Sequence, residues 1–205
     1  MTISLSDTGK RYNRDWIFRH LSYQFLSGNA YAITGSNGSG KSTLLQAISG
    51  SLLINEGSIR YEKDDTVISD ENIYRYVSLC APYLELIEEM TATELLDFQQ
   101  AFKPFLPHFD TKKLLQIAGL EGAAQKQIRY FSSGMKQRLK LIQAFASDTP
   151  ILLLDEPCTN LDQEGIALYQ LLLQQHTDNR IVIISSNDPV EYAHCTARIA
   201  MGDYK

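Results

Sequence analysis

The stretch Gly35 to Ser42 reads GSNGSGKS and matches the pattern G-x-x-x-x-G-K-[ST]. The chemistry such a stretch can do is to hold phosphate. Its glycines let the chain wrap closely, so that backbone N–H groups over Gly35, Ser36, Asn37, Gly38, Ser39 and Gly40 point inward at anionic oxygens. Lys41 brings a cation with the reach of a β- or γ-phosphate, and the Ser42 hydroxyl suits Mg²⁺. Thr43 follows at the start of an expected helix, whose positive end faces the same anion.

Two later stretches supply polar groups at the ends of apolar runs. In ILLLDEP, Ile151 to Pro157, Asp155 and Glu156 appear where a buried strand would emerge. Ligands of open α/β sheets bind outside such strand ends. Asp155 there supports a metal ion, and Glu156 can polarise an attacking water. In IVIISSNDPV the apolar run stops at Ser185, Ser186, Asn187 and Asp188. Those residues either form a turn, with Asn187 capping a short helix from Asp188, or face a ligand.

These groups need elements to hold them. Strands are expected over Thr2 to Leu5, Trp16 to Phe25, Asn29 to Thr34, Gly57 to Tyr61 and Tyr76 to Cys80, with a helix from Lys41 to Ser49. From about Thr91 to Ser147 the period becomes helical. Leu95, Leu96, Phe98 and Phe102 mark one helix, Leu114, Leu115 and Ile117 a second, and Met135, Leu139, Ile142, Phe145 and Ala146 a third beginning near Ser133. A strand over Ile151 to Leu154, a helix over Gln163 to His176 and a strand over Ile181 to Ile184 follow. The layout is an α/β core with a mostly parallel sheet, N-terminal strands and a helical insert.

Composition narrows the partners. The 205 residues are 44% hydrophobic and 21% charged, ordinary for a globular protein. A formal charge of −5 argues against nucleic acid and anionic membrane surfaces. Cys80, Cys158 and Cys195 lie far apart without a C-x-x-C, which argues against disulfides and zinc and for a reduced, cytoplasmic compartment. No apolar stretch approaches membrane-spanning length, so any work at a membrane needs another chain to hold this one there.

Together these residues resemble the ATP-binding subunit of ABC transporters, over essentially the whole chain. The resemblance implies a single ATP-binding domain over 1–205, with a P-loop (RecA-like) core at about 1–82 and 148–205 and a helical insert at about 83–147. It implies ATP and Mg²⁺ as ligands, a second ATP-binding subunit as homodimer or heterodimer partner, and an integral membrane permease. The chain would then lie on the inner face of the cell membrane. Lys41, Glu156 and Asn187 take the catalytic positions, and Ser42 and Asp155 the metal.

Tyr12 stands at the distance of the family's adenine-stacking aromatic, with Trp16 as second candidate. FSSGMKQR, Phe131 to Arg138, stands where the family carries L-S-G-G-Q, so Ser132, Ser133 and Gly134 would face a partner's nucleotide. TNLD, Thr159 to Asp162, resembles the loop that senses the partner's site, and a helix cap by Asp162 or Asn160 is compatible with that. The segment Ala81 to Met90 resembles the lining of the groove for the permease, with Tyr83, Leu84, Leu86 and Ile87 as contacts.

Two positions depart from the pattern. The family's metal- and water-contacting glutamine falls at Pro82, which has no side-chain donor, and its histidine falls at Asn187, which carries no charge. Slow hydrolysis is therefore expected. A dimerising module with little turnover, or an ABC-type ATPase without a transporter, are the other readings.

Overall fold

The computed structural model describes the whole chain, Met1–Lys205. It divides into two compact units, one of Met1–Leu79, Thr149–Asp155 and Asp178–Lys205, the other of Cys80–Asp148 and Glu156–Thr177.

The first unit holds two sheets. Strands β1 (Thr2–Tyr12) and β2 (Asp15–Leu26) form an antiparallel sheet with β4 (Glu56–Lys63) and β5 (Thr66–Ile68), in the order β2-β1-β4-β5. Between them in sequence, β3 (Asn29–Thr34) leads through the glycine-rich loop into α1 (Lys41–Ile48). The second sheet runs β6-β7-β8-β3-β9, with β6 at Val77–Cys80, β7 at Ile151–Asp155, β8 at Ile181–Ser185 and β9 at Ala197–Ala200. Every residue of β7 and β8 is buried, as aliphatic runs in a parallel sheet require.

Side chains of both sheets and of α1 merge into one core. Phe18, Leu21 and Phe25 of β2 meet Ile33 of β3, Leu44 and Leu45 of α1, and Ile151, Leu153, Ile181 and Ile183 of β7 and β8. At the opposite end of the strands from the glycine-rich loop, Arg180 is buried and donates to the hydroxyls of Ser78 and Thr149, both at 2.9 Å, which ties the entries to β6, β7 and β8 together.

Register decides the site. Asp155 pairs with Ser185 across β7 and β8, and Ser185 pairs with Ile33 across β8 and β3. Parallel pairing therefore brings Asp155, Ser185 and the strand leading to Gly35 out at one edge of the sheet.

The second unit is helical, with α2 (Ala92–Phe102), α3 (Thr111–Ile117), α4 (Ser133–Ala146) and α5 (Gln163–Gln175). Each start is capped by a short polar side chain. Thr91 and Glu94 form a capping box on α2, while Asp110, Ser132 and Asp162 cap α3, α4 and α5. Leu95, Leu96, Leu114, Leu115, Leu139 and Ile142 are buried, as their period predicts.

Phe98 and Phe102 are not. They are 46% and 76% exposed, and their rings lie against each other in a tilted arrangement with centroids 4.8 Å apart. Between them in sequence, Gln99 turns toward α4, its Nε2 donating to Gln143 O at 3.1 Å and Ser147 Oγ at 2.9 Å. Phe102→Ala is thus expected to change unfolding free energy in urea by less than about 0.5 kcal/mol, the range of ordinary surface substitutions. A loss near 3 kcal/mol would mean that the ring is packed after all. No helix is long and apolar enough to cross a membrane.

Candidate active site

In the first unit, the loop after β3 has the form of an anion cradle, with left-handed φ of 151° at Gly35 and 76° at Gly38. Gly40 caps α1 in the left-handed region, with φ 101°, and offers no side chain to the first N–H groups. The first turn of α1 holds no acidic residue, so its positive end stays uncompensated. Gly40 cannot be replaced easily, because a Cβ there would lie 2.5 Å from Ile17 Cγ2. Lys41 is 4% exposed and arcs back over the loop, donating to Gly35 O at 2.9 Å and Ser36 O at 3.4 Å. Its ammonium is thereby held at the mouth of the cradle, with neutral carbonyls as partners that a phosphate outcompetes.

Asp155 is 2% exposed, and its Oδ1 has no hydrogen-bond partner. A buried carboxylate oxygen left unpaired is costly unless something cationic completes it. With the hydroxyl of Ser42 at the start of α1, the donor set is all oxygen, as a hard divalent cation such as Mg²⁺ requires. The Ser39 hydroxyl, inside the loop, is likewise buried without a partner.

Asn187 answers the question left by the polar tip of β8. Residues 189–194 form turns and no helix starts at Asp188, so Asn187 caps no helix. Its Oδ1 accepts from Gly35 N at 3.3 Å, and its Nδ2 donates to Asn37 Oδ1 at 3.1 Å. The side chain therefore lies on the cradle itself. The turn is closed by its neighbours instead, with Asp188 N donating to Ser186 Oγ and Val190 N to Asp188 Oδ1, both at 2.9 Å.

Tyr12 ends β1 and is 46% exposed. Trp16 is half-buried, with the guanidinium carbons of Arg19 and Arg11 at 4.5 Å and 5.4 Å from its ring centroid. Tyr12 is the freer of the two aromatic surfaces.

In the second unit, Glu156 opens the segment after β7 with φ 43°. A glutamate in the left-handed region costs on the order of 1–3 kcal/mol, and such strain gathers at functional positions. The stretch Ser132–Gly134 starts α4, where Ser132 Oγ accepts from Met135 N at 3.2 Å. Phe131, directly before this start, is buried.

The TNLD loop lies against this start. A Cβ on Gly134 would sit 3.1 Å from Asn160 O, and Gln137 Nε2 donates to Pro157 O at 2.8 Å. Arg138 Nη2 reaches Asp162 Oδ1 at 2.6 Å, while the same carboxylate accepts from Gly165 N at 2.9 Å. Pro82 is exposed, and its carbonyl accepts from Lys140 Nζ at 3.1 Å. The pairings of Gln137, Arg138 and Lys140 carry no sequence signal, because their partners are distant in the chain.

The Asp162 carboxyl is held below the usual carboxylate range, first by the Gly165 N–H and then by Arg138. A lowered pKa means that its contribution to stability is present above the ordinary carboxylate range and is lost as pH falls through the lowered value. Arg138→Met is expected to move the Asp162 titration upward, yet to leave it below the ordinary value because the Gly165 contact remains. A carboxyl-carbon NMR titration reads this directly, and an unmoved midpoint would show that the ion pair is not formed in solution.

Burial pushes the Cys195 thiol up to about 12, so that it stays protonated. No group of three or more His, Cys, Asp or Glu residues is placed to hold a metal ion.

Comparison with known proteins places the chain in a family. The family model for ABC transporters matches residues 18–159. The chain belongs to the ABC transporter ATP-binding family. This ATP-binding chain is 33% identical over 186 residues to the uncharacterized ABC transporter ATP-binding protein YybJ of Bacillus subtilis (strain 168), covering 90% of this chain and 85% of that one. It is 34% identical over 156 residues to the cytochrome c biogenesis ATP-binding export protein CcmA of Xylella fastidiosa (strain 9a5c), covering 76% and 70%. Among solved structures, a putative ABC transporter ATP-binding protein from Pyrococcus furiosus superposes with a TM-score of 0.82 at 19% identity, covering 100% of both chains, which shows the shared fold.

Proposed function

We propose that this chain is the ATP-hydrolysing subunit of an ABC transporter, one ATP-binding domain over 1–205 that closes as a dimer around two Mg·ATP and drives a separate membrane permease from the inner face of the membrane. The observation that carries this reading is the cradle of Gly35 to Thr43, opening at the sheet edge where Asp155 keeps an unpaired, buried oxygen.

In this reading, backbone N–H groups of the loop and Lys41 hold the β- and γ-phosphates. Ser42 and Asp155 hold Mg²⁺, which when bound supplies charge neutralisation at the phosphates. Glu156 accepts a proton from the attacking water, and Asn187 turns its amide from Asn37 to the γ-phosphate. Tyr12 stacks on the base. Ser132, Ser133 and Gly134 present the start of α4 to the nucleotide of the partner subunit, a second copy or a related chain. Tyr83, Leu84 and Ile87, all exposed large apolar residues, offer the permease contact, and Leu86 beside them is half-buried.

A second reading is a nucleotide-gated dimerisation module with little turnover. It is favoured by Pro82, which offers no side-chain donor, and by Asn187, which brings an uncharged amide to the cradle. Light scattering and steady-state hydrolysis on the purified chain separate the readings. Doubling of mass with Mg·ATP together with measurable turnover supports the motor. Doubling without turnover supports the module, and failure to bind ATP overturns both.

A further inference from the structure

The three residues before Tyr12 are each tied to one short loop, Leu53 to Asn55, which follows α1. Asn55 N donates to Gly9 O at 2.8 Å. Arg11 N donates to Asn55 Oδ1 at 3.0 Å. Lys10 Nζ donates to Leu53 O at 2.7 Å and lies 5.1 Å from the centroid of the Tyr12 ring. The pairing of β1 with β2 is irregular here, with register shifts between Thr8 and Lys10 and between Lys10 and Arg11. Those shifts turn Thr8, Gly9 and Lys10 inward in succession instead of alternating.

Burying a lysine is expensive unless its ammonium is engaged. Lys10 is 8% exposed, and the partners of its ammonium are a carbonyl and an aromatic face. Tyr12 is half out in solvent, so packing alone does not fix its ring. A cation over one face of the ring attracts the ring electrostatically and leaves the opposite face for a ligand. It also draws electron density from the ring, which favours offset stacking of an electron-rich purine on that opposite face.

We propose that Lys10 and Asn55 are positioning residues for the base of the bound nucleotide, acting through Tyr12 and anchoring it to the loop that follows the cradle's own helix. The inference rests on the reading of Tyr12 as the stacking residue. It deepens that reading by assigning what holds the ring in place.

The test compares two probes, Mg·ATP and inorganic triphosphate with Mg²⁺, by calorimetry on the full chain and on Lys10→Met, Asn55→Ala, Tyr12→Ala and Lys10→Met/Tyr12→Ala. Stacking of a base on an aromatic side chain is worth between about fivefold and a hundredfold in affinity. Tyr12→Ala should lose that much for ATP, and Lys10→Met and Asn55→Ala about three- to tenfold, a part of the same stacking effect. Triphosphate affinity should stay within about twofold in all of them, because the cradle is untouched. The double variant should bind ATP no worse than Tyr12→Ala, since Lys10 acts through the ring.

Equal losses for both probes would show a merely structural role and overturn the proposal, as would an additive double variant. If Tyr12→Ala weakens ATP and neither Lys10→Met nor Asn55→Ala does, the proposal fails while the stacking reading stands. If Tyr12→Ala leaves ATP binding unchanged, the stacking reading itself fails and takes the proposal with it. Should Lys10→Met not fold, Asn55→Ala carries the test, because it leaves the Asn55 N to Gly9 O bond in place.

Discussion

Replacing Glu156 by glutamine is expected to lower steady-state ATP turnover by a factor on the order of 10²–10⁴, the range that a positioned general base contributes. The substitution keeps the size of the side chain and removes only its ability to take a proton. Binding should survive, because the groups assigned to phosphate are Lys41 and the loop amides, with Asp155 left for the metal. An ATP-bound dimer should therefore accumulate, visible as a doubled mass in light scattering that persists where the unchanged chain reverts to monomer. The backbone supports the assignment. Asp155 ends its strand in regular pairing with Ser185, and the next residue turns to φ 43°. A glutamate would not be placed there for stability, since glycine or asparagine takes that conformation at lower cost. Turnover within about threefold of the unchanged chain would show that another group activates the water.

How far this could be read from the sequence depended on whether the signal was local. Asn29–Thr34 was legible because a glycine turn precedes it and the glycine-rich loop follows. Ile151–Asp155 and Ile181–Ser185 were legible because strands buried on both faces are aliphatic throughout. The sequence pattern ends the first strand at Leu5, whereas the strand continues to Tyr12, because register shifts after Leu5 break the alternation that marks a strand. The strand Thr66–Ile68 is too short to show a period, and Ala197–Ala200 pairs only with Asn29–Thr34 and carries the exposed Arg198. Phe98 and Phe102 fit the helical period and still face solvent, since period identifies a stripe and cannot say whether anything covers it.

The glycine-rich loop from Gly35 to Ser42 is contiguous, so its pattern can be read directly from the sequence. The contacts that brace the other motifs join positions far apart in the chain, as Arg138 with Asp162, Gln137 with Pro157 and Lys10 with Leu53 do. No pattern in the sequence marks such pairs.

Asn187→His is expected to raise turnover by about tenfold or more, because a preorganised contact to the transferring phosphate is worth on the order of a hundredfold to a thousandfold and a grafted one recovers part of it. Asn187 reaches the cradle with an amide that bonds Gly35 N and Asn37 Oδ1, so position 187 is already aimed at the loop. An imidazole there can carry a positive charge, which an amide cannot. The histidine variant should therefore show a pH dependence of turnover that the unchanged chain lacks, centred near the ordinary imidazole value of about 6.5. Recovery should stay incomplete, since Pro82 still offers no side-chain donor and its carbonyl is held by Lys140. If turnover does not rise and its pH profile stays flat, Asn187 serves to hold Gly35 and Asn37 in place, and the limit on hydrolysis lies elsewhere, with Pro82 the next position to restore.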